Sequence, residues 1–144
     1  DVDDLWYPFK LSKQVNTLKE NPECGFCYSN FQILYENKNK LKKAYKYNLP
    51  SGNLKNYLLK KYNVCFSSLM FRKKIALENK LEFNQNFDMV SDLDFVLKFA
   101  GHSKGIGINK CLVIYISYYS NLLVVGRNLM DVLLLQLLFH KAQK

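Results

Sequence analysis

The chain is poor in the residues that break structure. It has three prolines and six glycines in 144 positions, and no linker, internal repeat or low-complexity tract divides it. That length suits one domain with one sizeable core. Histidine is scarce, with two residues, and cysteine stands at four. The one C-x-x-C, Cys24-Gly25-Phe26-Cys27, has no second pair and no nearby histidine to complete a zinc set. It falls in a segment that reads as a strand, where residues three apart point to opposite faces. The cysteines are therefore expected to be reduced structural thiols, as in the cytoplasm. No signal-peptide pattern is visible. The longest apolar stretch, Leu122 to Phe139, is interrupted by Arg127, Asp131 and Gln136, so a membrane-spanning helix is not expected. Carboxylates are outnumbered, 12 against 21 Lys and Arg, for a net charge of +9. Such an excess suits an anionic partner: a nucleotide diphosphate, an acidic lipid surface or nucleic acid.

With 49% hydrophobic and 23% charged residues, the chain is globular in composition. Pro8 suits the first turn of a helix. Leu11, Val15 and Leu18 follow at helical spacing, and Asn21-Pro22 ends the run. Strands are expected over Cys24 to Tyr35, Leu41 to Tyr47, Cys65 to Arg72 and Leu112 to Tyr119. Helices are expected over Leu54 to Lys61, Lys73 to Asn79, Ser91 to Ala100 and Leu123 to Lys141. The mixture predicts an α/β domain. Lys38, Lys40, Lys42, Lys43 and Lys46 interleave with Tyr45 and Tyr47, a pattern that nucleic-acid binders share with ordinary solvated hairpins. The hairpin is preferred and no nucleic-acid partner is expected.

Two groups of carboxylates stand out. Asp1, Asp3 and Asp4 crowd the start of the chain. Close-set carboxylates repel one another and are costly to desolvate together, unless a hard divalent cation lies between them and a phosphate-bearing ligand. The second group opens the helix expected at Ser91. Leu93, Val96, Leu97 and Ala100 form its apolar stripe. Ser91 reads as an N-cap with Asp94 in the acidic position of a capping box. Asp92 either gains from the helix dipole alone, by about 0.3–1 kcal/mol, or projects into a cleft as a general base.

Several segments, in order, resemble the family-2 glycosyltransferases. Asp1-Val2-Asp3-Asp4-Leu5-Trp6-Tyr7-Pro8-Phe9-Lys10-Leu11 is similar to that family's D-x-D-D-x-W-x-P-x-K-L segment. Cys24 to Asn30 resembles the strand after the following helix. Leu49-Pro50-Ser51-Gly52-Asn53 and Ser67-Ser68-Leu69-Met70-Phe71-Arg72-Lys73 resemble acceptor-side segments. Val90 to Lys98 resembles the E-D-x-D helix start, and Tyr115 to Asn121 the closing Y-R-x-H-x-x-N segment. The resemblance covers nearly the whole chain. It implies the C-terminal, acceptor-side portion of a GT-A fold, a mixed sheet with flanking helices, over residues 1–121, followed by an apolar helix over 122–144. The family's nucleotide-binding half, roughly 100 residues of α/β sheet, would precede the acidic motif and is expected to be missing here.

The resemblance also implies a reaction. A sugar would pass from a nucleotide-diphospho-sugar to an acceptor hydroxyl, with inversion, in cell-surface polysaccharide synthesis. Asp1, Asp3, Asp4 and Tyr118 would bind the donor, with Asp3 the direct ligand of Mn²⁺ or Mg²⁺. Asp92 would be the catalytic base, and Trp6 would line the acceptor cleft or pack inside the fold. The acceptor would be a saccharide or a lipid-linked glycan, with the protein cytoplasmic or peripheral on the inner face of the cytoplasmic membrane. Ser91 replaces the family's usual Glu, Tyr118 its His and Ile116 its Arg, departures that bear on the phosphate side of the site and on metal dependence. They also leave open a non-catalytic glycan- or membrane-interaction module on the same scaffold. The leucines of the terminal helix exceed one buried stripe, so a homo-oligomer through that helix is expected.

Overall fold

The computed structural model describes residues 3–35, 40–85, 87 and 90–117. Asp1, Tyr118, Lys38 and the expected terminal helix lie outside them. The described chain runs β1 (Leu5–Trp6), α1 (Lys10–Glu20), β2 (Cys24–Tyr35), β3 (Lys40–Lys43), α2 (Lys55–Lys60), β4 (Met70–Phe71), α3 (Lys73–Glu78), α4 (Ser91–His102) and β5 (Lys104–Ser117). A 3-10 turn, Phe66–Ser68, precedes β4.

The long strands β2 and β5 pair in parallel at the centre of a mixed sheet ordered β1-β5-β2-β3. β1 lies antiparallel on β5. The outer edge of β2 is shared: β4 pairs with Phe26 and Cys27, and β3 with Gln32 to Tyr35. Side chains satisfy the gap between them. The Ser29 amide donates to Ser68 Oγ at 3.3 Å. Asn30 Oδ1 accepts the Tyr45 amide at 3.2 Å, and Asn30 Nδ2 donates to the Tyr45 carbonyl at 2.8 Å. A buried backbone group without a ladder partner needs such a substitute.

Helices cover both faces, giving an α/β architecture with a mixed open sheet. On one face Leu54 and Leu58 of the α2 region and Phe95, Val96, Phe99 and Ala100 of α4 pack on Phe26, Tyr28, Phe31, Ile33 and Val113. On the other, Leu18 of α1 meets Cys24, Cys27, Ile108 and Leu112.

Several expectations are corrected. The two cysteines of the C-x-x-C join one cluster rather than opposite faces, because a register shift between Cys24 and Phe26 resets the alternation. Burial pushes the Cys27 thiol up to about 11 and raises Cys24 as well. α1 forms where the helical spacing placed it, but of its apolar residues only Leu18 is buried: Leu11 and Val15 are 50% and 40% exposed, whereas Lys10 and Gln14 are fully buried. The strand expected over Cys65 to Arg72 is mostly a turn, because the Ser68 hydroxyl donates to the Cys65 carbonyl at 2.7 Å and closes it. The strand after β2 ends at Lys43, before the expected Tyr47. β5 begins at Lys104 rather than Leu112. Its glycines look like loop residues but serve close packing: a Cβ on Gly105 would lie 2.2 Å from the Phe26 ring, and one on Gly107 2.5 Å from Leu49.

Candidate functional site

The first carboxylate group reaches the site through β1. Pairing of Leu5 with Ile114 and Trp6 with Val113 fixes the chain just after Asp3 and Asp4 on the edge of β5. Both oxygens of Asp4 are then engaged. Oδ2 accepts the Ser67 hydroxyl in a short hydrogen bond, and Oδ1 accepts the Ile116 amide at 3.4 Å. Asp4 thus ties the acidic turn to the 3-10 turn and to the end of β5. Asp3 is half-buried beside it.

The second group reaches the site through α4. The helix starts at Ser91, with Val90 in the cap position and no side-chain cap. The expected capping box is therefore absent, because Ser91 is already helical and Asp94 lies a residue too deep. Asp94 instead pairs with Lys98 one turn on, at 2.6 Å. Asp92 is half-buried and turns back on the first turn, where its Oδ1 accepts the Leu93 amide at 2.8 Å. Negative charge is favoured at that end of a helix.

One carboxylate of each group, Asp4 and Asp92, acts on the segment Tyr62 to Ser68. Burial pushes the Cys65 thiol up to about 12, and the Asp4 carboxylate adds to the rise. Burial likewise holds the Tyr62 hydroxyl well above its ordinary value, and there the Asp92 carboxylate adds to it. One end of the segment therefore feels Asp92 and the other binds Asp4. Among the described residues, the Tyr62 hydroxyl and Asn63 Oδ1 are buried without a hydrogen-bond partner, an uncommon state for interior polar atoms.

Lys10 and Gln14 support this arrangement from α1, and the sequence reading missed both. Gln14 Nε2 donates to the Ser68 carbonyl at 2.8 Å. Lys10 Nζ lies 3.8 Å from the Trp6 ring centroid, a cation–π contact. Burial lowers the Lys10 pKa, partly offset by Cys27 and Cys65. Trp6 is 54% exposed. The signal for Lys10 and Gln14 was their one-turn spacing, which places them on the side of α1 that also carries Thr17 and Leu18.

Among the described residues, no three His, Cys, Asp or Glu side chains gather as a metal set. Mg²⁺-type sites commonly use one or two carboxylates with water and substrate phosphates. Asp3 fits that mode, since Asp4 is already occupied by two donors. No described helix is long and apolar enough to cross a membrane. No protein-family model matches the chain, and no curated protein matches it.

Proposed function

We propose that this α/β domain is the acceptor-side part of a GT-A-type glycosyltransferase, which moves a sugar from a nucleotide-diphospho-sugar to an acceptor hydroxyl with inversion. The observation that carries the reading is that Asp4 binds the Ser67 hydroxyl while Asp92, at the start of α4, lies within electrostatic reach of Tyr62, so that the two carboxylates border the two ends of the segment Tyr62 to Ser68. A transferase of this kind needs one carboxylate site for the leaving diphosphate and another for the incoming hydroxyl.

Asp3 would hold the divalent cation, Asp1 would bind the donor, and Asp4 would position the acidic turn through Ser67 and Ile116. When bound, the cation would supply charge neutralisation for the leaving diphosphate. Asp92 would accept the acceptor's proton at a carboxylate oxygen, leaving the hydroxyl oxygen to attack the anomeric carbon in line. Trp6, with its exposed ring held against Lys10, offers a face on which a sugar ring could stack.

The test is transfer from a panel of nucleotide sugars to saccharide and lipid-linked acceptors, using the longest natural form of the chain. Asp92→Asn should lower turnover by about 10²–10⁴-fold and leave Mn²⁺-dependent donor binding unchanged. Near wild-type turnover in that variant would remove Asp92 as the base. Asp3→Ala should weaken donor binding far more than Asp94→Ala, since Asp94 is paired to Lys98 on the helix surface.

A further inference from the structure

Between Glu36 and Glu78 the chain carries eleven lysines and arginines and no acidic residue. The fold gathers much of this charge on one side. Lys40, Lys42 and Lys43 are exposed along β3, the edge strand of the sheet. Lys46, Lys60 and Lys61 are exposed on the following turn and at the end of α2. The two pieces touch: Lys61 Nζ lies 4.2 Å from the Tyr47 ring centroid, and Tyr47 packs on Tyr45 at 5.2 Å. Among the described residues, none of these six lysines is in an ion pair.

Edge strands often carry lysine to prevent sheet-to-sheet aggregation, which accounts for β3. It does not account for Lys46, Lys60 and Lys61, which lie off the edge. The one arginine of the stretch is turned inward, where Arg72 Nε and Nη2 donate to the Cys24 and Leu18 carbonyls at 2.9 and 2.5 Å. The six basic residues of the outer face are thus all lysine. Lysines are mobile point charges that lack the bidentate fork used to read individual phosphates. They suit a diffuse layer of negative charge, and clusters of four to eight basic residues favour anionic lipid surfaces. Single-stranded nucleic acid would require stacking platforms as well. Here Tyr45 is buried, and Lys61 already covers one face of Tyr47.

We propose that the lysine face formed by β3, the turn through Tyr47 and the end of α2 docks the protein on an anionic lipid surface. The inference is independent of the catalytic reading. Its test is co-sedimentation of the full chain with vesicles of phosphatidylcholine alone, or of phosphatidylcholine with phosphatidylglycerol. Binding is expected only to the anionic vesicles and should fall steeply with salt. Affinity should drop by more than about fivefold per lysine reversed, fivefold being the worth of one lost positive charge, in Lys42→Glu/Lys43→Glu/Lys46→Glu and in Lys60→Glu/Lys61→Glu. The exposed α1 control Lys13→Glu/Lys19→Glu should stay within about twofold of wild type. Thermal melts matching wild type would show that the reversals leave the fold intact, and the corresponding Lys→Gln variants should show smaller losses in the same order. The proposal is overturned by absent vesicle binding, by equal binding to neutral vesicles, or by equal losses in the α1 control. It is also overturned if a thymidine homopolymer binds more tightly than the vesicles through the same lysines.

Discussion

The two faces of the central sheet are built on different principles. Against α2 and α4 the core is aromatic: Phe99 packs on Phe26, Phe71 and Phe95 with ring centroids 5.3–6.1 Å apart. Against α1 the interior is small and polar. Lys10, Gln14 and Thr17 are buried with Leu18, while Leu11 and Val15 face outward. The first face follows the ordinary rule that apolar stripes turn inward. The second breaks it beside the acidic turn, where buried polar groups hold backbone carbonyls and a tryptophan in place. Departures from hydrophobic patterning concentrate where a fold positions chemistry.

The contrast can be broken by mutation. Phe99→Ala should have the largest effect, about 3–5 kcal/mol in urea denaturation, since it empties the centre of the aromatic cluster. Gln14→Ala should cost about 1–3 kcal/mol by leaving the buried Ser68 carbonyl unpaired. If α1 buried its leucines instead, this change would be nearly silent.

Lys10→Met addresses the polar face through pH. Burial depresses the Lys10 pKa in the folded state below the ordinary 10.5. The unfolded chain therefore binds more protons between the two values, and the wild type gains stability as pH rises through that window. Lys10→Met should be the more stable protein at neutral pH, and its advantage should shrink as pH approaches 10.5. A constant difference from neutral to alkaline pH would contradict a buried charged lysine. The smallest effect should come from Leu11→Gln, within about 0.5 kcal/mol, because that side chain is half exposed.

The same contrast explains what could be read from the sequence. α4 was legible because Leu93, Val96 and Ala100 repeat at helical spacing and are buried. β2 was legible because Cys24 to Tyr35 is rich in strand formers and lies inside the sheet. α1 was placed correctly along the chain, but its buried Lys10 and Gln14 were not legible, since periodicity locates apolar residues without revealing a polar competitor. Gly105 and Gly107 hid the first half of β5, because local propensity carries no record of the Phe26 ring or the Leu49 backbone that requires them. At the site, Asp3, Asp4 and Asp92 were visible as carboxylates in conspicuous places. The segment Tyr62–Ser68 that neighbours Asp4 and Asp92 was not, because it meets them only through the tertiary fold.

The most direct test of a divalent-cation site at the acidic turn is Mn²⁺-induced paramagnetic broadening of backbone amides in the full chain, with and without Asp3→Asn. Broadening should centre on the amides of Asp4, Leu5, Ser67 and Ile116 and disappear in Asp3→Asn. Broadening centred on Glu20 and Glu23 or on Glu78 and Glu82, or broadening at the turn that survives Asp3→Asn, would contradict it.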